Sequence, residues 1–171
     1  MTTNQQLNGD ELHQRQKQNK KNNAPVIICD GLQTPENLGS ILRVADAVGS
    51  KGIILLDNEM DLNNKKISKI ARSTNKQLNI EALSFSDFLN SKNRFENLFA
   101  LEITSHSVNA FESSIINCDA ILLGHESKGI REAALAICNG VFHLPMFGTN
   151  GSMNVSHAVA VFLYEWRRQQ I

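Results

Sequence analysis

Three segments of the chain place polar, small and charged residues at spacings that can do chemistry. The first is Pro35-Glu36-Asn37-Leu38-Gly39-Ser40-Ile41-Leu42-Arg43. Asn37 has a side chain suited to capping a helix. Arg43 falls off the apolar stripe of Leu38, Ile41, Leu42 and Ala45, so it faces solvent or a partner. A surface ion pair with Asp46 would also explain it, at roughly a few tenths of a kcal/mol. The second segment is Gly124-His125-Glu126-Ser127-Lys128-Gly129, a carboxylate flanked by glycines that let backbone approach a ligand closely. The third is Leu144-Pro145-Met146-Phe147-Gly148-Thr149-Asn150-Gly151-Ser152-Met153-Asn154. It is long for a simple connection, and Ser152 or Asn154 can cap the helix that follows.

Other chemistries are absent from the sequence. No Gly-x-Gly-x-x-Gly follows the first strand, and there is no P-loop, no His-Glu-x-x-His and no Gly-x-Ser-x-Gly elbow. Cys29, Cys118 and Cys138 are odd in number and widely spaced, which argues against a disulfide framework or a zinc site. Each reads as a small buried hydrophobe. No metal is expected.

The elements that must position these segments follow from hydrophobic patterning. Pro25–Asp30, Gly52–Asp57, Leu78–Leu83, Asn97–Ile103, Asp119–Gly124 and Val141–Leu144 read as strands. Helices are expected over about 38–48, 64–72, 85–89 (capped by Ser84) and 130–137. A closing helix carries an apolar face of Val155, Val159, Phe162 and Trp166. Continuous apolar strands alternating with helices predict an α/β fold with a mostly parallel sheet covered by helices on both faces. In such sheets ligands bind beyond the carboxyl ends of the strands, where all three segments fall. The 171 residues fit one domain, 25–171, preceded by a polar, basic arm, 1–24, that is a flexible tail or an exposed helix. No apolar run approaches the roughly 20 residues of a membrane span. The amino end lacks the apolar block of a secretion signal, so a cytoplasmic location is expected.

Taken in order, Asn37-x-Gly39 with Arg43, Gly124-x-Glu126-x-x-Gly129, and Pro145-Met146 followed by Ser152-x-Asn154 resemble the three motifs of the SpoU family. These are the TrmH-like methyltransferases of the SPOUT superfamily, and the resemblance covers about residues 25–168. It implies 2′-O-methylation of an RNA ribose from S-adenosylmethionine, by a homodimer whose carboxyl-terminal part forms a deep trefoil knot. Carried over by motif, the cofactor positions are Gly124, Leu144, Met146 and Met153, with Leu101. The active-site positions are Asn37, Arg43, Glu126, Ser152 and Asn154, with Arg43 reaching the site of the second protomer. An arginine is a poor general base. Arg43 is therefore read as stabilising the developing alkoxide, while the other four fix the geometry. The chain departs from the common pattern at Ser127, at Met153 and near Ala71–Asn75.

Seventeen basic and seventeen acidic residues give no net charge, so RNA must be held by local patches. Lys65, Lys69, Arg72 and Lys76 share one helical face if the helix extends that far. Arg167 and Arg168 add charge at the carboxyl end. Transfer RNA is the expected substrate ahead of ribosomal RNA, since 24 residues are too few for an additional RNA-binding domain. The alternative is a non-catalytic RNA-binding protein of the same fold.

Overall fold

The computed structural model describes residues 5–19, 21–72 and 78–171. Helix α1 (Gly9–Asn19) precedes β1 (Val26–Asp30), α2 (Pro35–Val48), β2 (Ile53–Leu56), α3 (Lys65–Ala71), β3 (Ile80–Leu83) and α4 (Phe85–Asn90). Then come β4 (Leu98–Leu101), β5 (Val108–Asn109), β6 (Ala120–Leu123), α5 (Glu132–Leu135), β7 (Gly140–His143) and α6 (Val155–Gln169). The seven strands form one sheet in the order β3-β2-β1-β6-β4-β7-β5, and every pairing is parallel.

Both faces are covered because the central strands are apolar at every position except Asp30 at the end of β1. Ile27, Cys29, Ile53, Leu55, Ile121 and Leu123 pack on one side beneath α2, α3 and α6. Ile28, Ile54, Leu56, Ala120 and Leu122 pack on the other with Phe88 of α4 and Ala134 of α5. Helix α6 seats Val159, Phe162 and Trp166 in the first core. Gly39 lets α2 approach α3, since a methyl there would lie 2.9 Å from Ile70 Cβ.

Several expectations shift. Asn37 does not cap α2. Pro35 suits the first helical position, so the helix starts there, with Thr34 as its N-cap and Asn37 buried inside. Of the two candidates for capping α6, Asn154 does so, accepting from the Ser156 amide. Helix 130–137 shrinks to Glu132–Leu135, because Arg131 is held in extended backbone by Asp30. Helix α3 ends at Ala71, and Arg72 turns out of it with φ +57°, so the four-cation face is not continuous. Lys76 lies outside the described residues. The arm contains an exposed helix whose first turn is held by reciprocal bonds between Asn8 and Glu11. Among the described residues no helix is long and apolar enough to cross a membrane.

Candidate active site

Three connections meet beyond the carboxyl edge of the sheet: β1–α2, β6–α5 and β7–α6. Glu126, in the second, points back at the first. Its Oε1 accepts hydrogen bonds from the Thr34 amide at 3.0 Å and from Asn37 Nδ2 at 3.0 Å. Its Oε2 accepts from the Gln33 amide at 3.4 Å. Asn37 Oδ1 then accepts from Asn154 Nδ2 at 2.9 Å. Asn154 Oδ1 accepts from the Ser156 amide at 2.9 Å and hydroxyl at 2.6 Å. One line of hydrogen bonds therefore ties all three connections together.

Burial opposes ionisation of Glu126, but the bonds from Asn37 and Thr34 outweigh it and hold its carboxyl at about 2. A base that weak does not accept a proton at neutral pH, so Glu126 is a fixed anion that orients Asn37. Beneath the site the Cys29 thiol is pushed up to about 12 by burial, aided by Glu126 and Asp30, so it is not a nucleophile.

Beside this line lies a cleft of about 500 Å³. Leu101, Gly124, Leu144, Met146 and Met153 all line it, as do Glu126, Ser152 and Asn154. Gly124 admits no side chain, since a Cβ would come 2.3 Å from the Gly129 carbonyl carbon and 2.5 Å from the Ile130 nitrogen. Gly129 has φ +68°, and a Cβ there would meet Glu102 Oε2 at 2.8 Å. Glu102, which sequence reasoning missed, follows β4 directly and accepts from the amides of Ile103 and Ile130. A carboxylate near the carboxyl end of the expected strand Asn97–Ile103 was the available signal. His125 and His143 were missed as cleft-lining residues too.

Arg43 stands apart. It is exposed on α2, does not line the cleft, and makes no ion pair with Asp46. Lys65, Lys69 and Arg72 are exposed around α3. Arg167 donates to Asn23 Oδ1 at 2.8 Å and to the Val48 carbonyl, and stacks on Trp166, so it fastens the arm to the body. Arg168 pairs with Glu165 at 2.7 Å. Sequence reasoning also missed Arg131. It donates through Nε to Asp30 at 2.7 Å and through Nη1 to Asp57 at 2.7 Å, over the Phe85 ring. Among the described residues no group of His, Cys, Asp and Glu is arranged to hold a metal ion.

A parallel α/β domain with a ligand-sized cleft at the carboxyl edge, framed by three hydrogen-bonded loops, defines a class of binding or transferase domain. The model of the SpoU rRNA Methylase family matches residues 24–164, and the chain belongs to that family. It is 30% identical over 153 residues to a 23S rRNA (guanosine-2′-O-)-methyltransferase of Neisseria meningitidis, covering 85% of this chain and 59% of the relative. A solved structure concerned with 2-OH methylation of C/U34 on tRNA is 26% identical, with a TM-score of 0.77, covering 88% of this chain and 98% of that one. The AdoMet-bound rRNA methyltransferase of Sinorhizobium meliloti shares the fold, with a TM-score of 0.79 at 23% identity over 88% of this chain and 58% of that one. The chain spans about 60% of the length of the first curated relatives it matches.

Proposed function

We propose that this protein transfers a methyl group from S-adenosylmethionine to a ribose 2′-hydroxyl of RNA, acting as a homodimer. The observation that carries the reading is the hydrogen-bonded line from Glu126 through Asn37 to Asn154 at the lip of the cleft. The cleft suits the cofactor: its volume is within the usual range for small-molecule sites. Leu101, Leu144, Met146 and Met153 offer apolar walls, and Gly124 offers bare backbone. Glu102 and Glu126 give it a negative potential that favours a sulfonium. When bound, the cofactor supplies an electrophilic methyl group.

The same charge inventory calls for a second copy. Among the described residues, no Lys or Arg lines the cleft. An alkoxide forming beside Glu126 would be repelled unless a cation were brought in. Arg43, exposed and without an ion pair among the described residues, is the family-matched cation, and we infer that it enters from a second protomer. There it stabilises the developing negative charge, and the trefoil knot expected of the family holds the cleft loops rigid around the cofactor. Asn37, Ser152 and Asn154 orient the ribose. Exposed Lys65, Lys69 and Arg72 provide phosphate contacts, with Lys76 expected to join them. The likeness to the tRNA C/U34 structure supports tRNA as the substrate, ahead of the rRNA named for the Neisseria relative.

The test is single-turnover methylation with saturating RNA and cofactor. Arg43→Ala should lose on the order of 10² to 10³ in rate while keeping its affinity for S-adenosylhomocysteine. Arg43→Lys should rescue poorly, because an ammonium lacks the planar fork. Mixing Arg43→Ala with Glu126→Gln protomers should restore roughly a quarter of wild-type turnover, since about half the dimers are mixed and each has one complete site. Mixed dimers without recovery would show that Arg43 does not act across the interface.

A further inference from the structure

Arg131 closes the β6–α5 connection, five residues after Glu126. Among the described residues it alone pairs with two carboxylates, Asp30 and Asp57. Asp30 ends β1 and is buried. Every hydrogen bond to its carboxylate from a described residue comes from Arg131: the backbone amide at 3.0 Å, Nε at 2.7 Å, and Nη2. Asp57 follows β2 directly, and Nη1 reaches it at 2.7 Å. Asp57 also accepts from the Phe85 amide at 2.9 Å, with its own backbone in the left-handed region at φ +47°. The guanidinium lies 3.4 Å from the centre of the Phe85 ring, at the start of α4. One side chain thus joins the loop that carries Glu126 to the ends of two strands and the start of a helix.

The bridge from Arg131 to Asp30 is one of a reciprocal pair. It runs from a donor in the β6–α5 connection to a carboxylate at the start of the β1–α2 connection. Glu126 makes the opposite bridge, its carboxylate in β6–α5 accepting from Gln33, Thr34 and Asn37 in and beyond β1–α2. Together they close a ring, with residues 30–34 on one side and 126–131 on the other. Inside it the loop folds back on itself, His125 and Gly129 exchanging backbone hydrogen bonds of 3.1 and 3.0 Å. A ring closed at both ends gives Glu126 one approach to Asn37. Opened at Arg131, it gives several. The outer half of the network lies in water, with Arg131 39% and Asp57 46% exposed. Ion pairs so placed contribute little to stability. What a planar fork held between two carboxylates and a ring supplies is direction.

We propose that Arg131 is a positioning residue for methyl transfer: by binding the ends of β1 and β2 it fixes the loop on which Glu126 stands, and through Glu126 it sets the orientation of Asn37 at the cleft. This rests on the methyl-transfer reading above.

The test compares the full chain with its Arg131→Lys variant. Lysine keeps the charge that buried Asp30 requires but cannot bridge to Asp57. Carbon-13 NMR of labelled glutamate, assigned with Glu126→Gln, reads the loop without RNA. At pH 3.5 the Glu126 carboxyl should be ionised in wild type, whose contacts hold it at about 2, and largely protonated in Arg131→Lys as it returns toward 4.5. Single-turnover transfer to RNA from cells lacking the protein should slow by on the order of 10- to 100-fold. In a Glu126→Gln background the same replacement should cost no more than about twofold, because its effect passes through Glu126. Asp57→Asn keeps the buried pair and should move both readouts the same way by a smaller amount, so it carries the test if Arg131→Lys does not fold. An unchanged Glu126 titration, or equal losses with and without Glu126, overturns the proposal and leaves the methyl-transfer reading standing. Wild type that binds S-adenosylhomocysteine and methylates no RNA overturns the methyl-transfer reading, and the role of Arg131 in transfer with it.

Discussion

Glu126→Gln tests whether the carboxylate is the joint between the three loops. The fold lowers its pKa from 4.5 to about 2. A shift of that size corresponds to about 3 kcal/mol favouring the ionised form in the folded state. The side chain is 22% exposed, so water screens part of this, leaving about 1–2 kcal/mol. The sign follows from linkage. The unfolded chain binds the proton more readily, so the contribution is complete above the unfolded value of 4.5 and disappears as pH falls through about 2. Glutamine keeps the shape and one acceptor, but its amide group would face the Gln33, Thr34 or Asn37 donors. At pH 7 the variant should be about 1–2 kcal/mol less stable, a loss of about 2–8 °C in Tm for a chain of this size. At pH 3.5 the difference should fall to about 60% of its value at pH 7. Urea unfolding of both proteins at the two pH values gives the double difference, in which every other titrating group cancels. Equal stability at pH 7, or a gap that does not shrink at pH 3.5, would refute the reasoning.

Gly124→Ala should abolish most cofactor binding, because the new methyl meets backbone at 2.3 Å and 2.5 Å. Calorimetry with S-adenosylhomocysteine should show at least about a tenfold loss, and a stability cost of about 1–3 kcal/mol from overpacking should accompany it. Replacing Lys65, Lys69, Arg72 and Lys76 with Gln should weaken RNA binding and flatten its salt dependence without changing cofactor affinity; an unaltered salt slope would mark these cations as solvated surface. Arg167→Ala removes the bond to Asn23, the bond to the Val48 carbonyl and the Trp166 stack. It should cost about 1–2 kcal/mol and open the junction near residue 23 to protease, whereas a role confined to RNA would leave both measurements unchanged.

What was legible in the sequence is what local physics determines. Apolar runs gave the main strands because a sheet covered on both faces needs no alternation, and Ser84 announced α4 by its cap. The two-residue β5 was missed because so short a strand has no periodicity to read. Helix ends were misjudged where distant partners intervened: Asp30 and Arg131 are 101 residues apart, and their bond delays α5. The site divides in the same way. The family motifs pointed to residues that line one cleft and to the three loops, but not to the contacts among them. Asn37 and Glu126 are 89 residues apart, and Asn37 and Asn154 are 117 apart. Only the fold turns Asn37 from an expected cap into the middle of that line.

The cost of this arrangement falls on electrostatics. Two carboxylates, Glu102 and Glu126, line a cleft to which no described Lys or Arg contributes. On the methyl-transfer reading proposed above, that suits a cationic cofactor and opposes negative charge developing on a ribose hydroxyl. A single chain cannot satisfy both demands at one point by placing a permanent cation in the cleft, since the cation would weaken cofactor binding by the same Coulomb interaction that helps the alkoxide. In the proposed dimer, a cation delivered from the other chain would avoid the conflict, provided it approached the ribose side and not the sulfonium side. Arg43 lies on a helix that packs against α6 and leaves its charged face outward, so a symmetric pair of such helices can provide it to both sites at once.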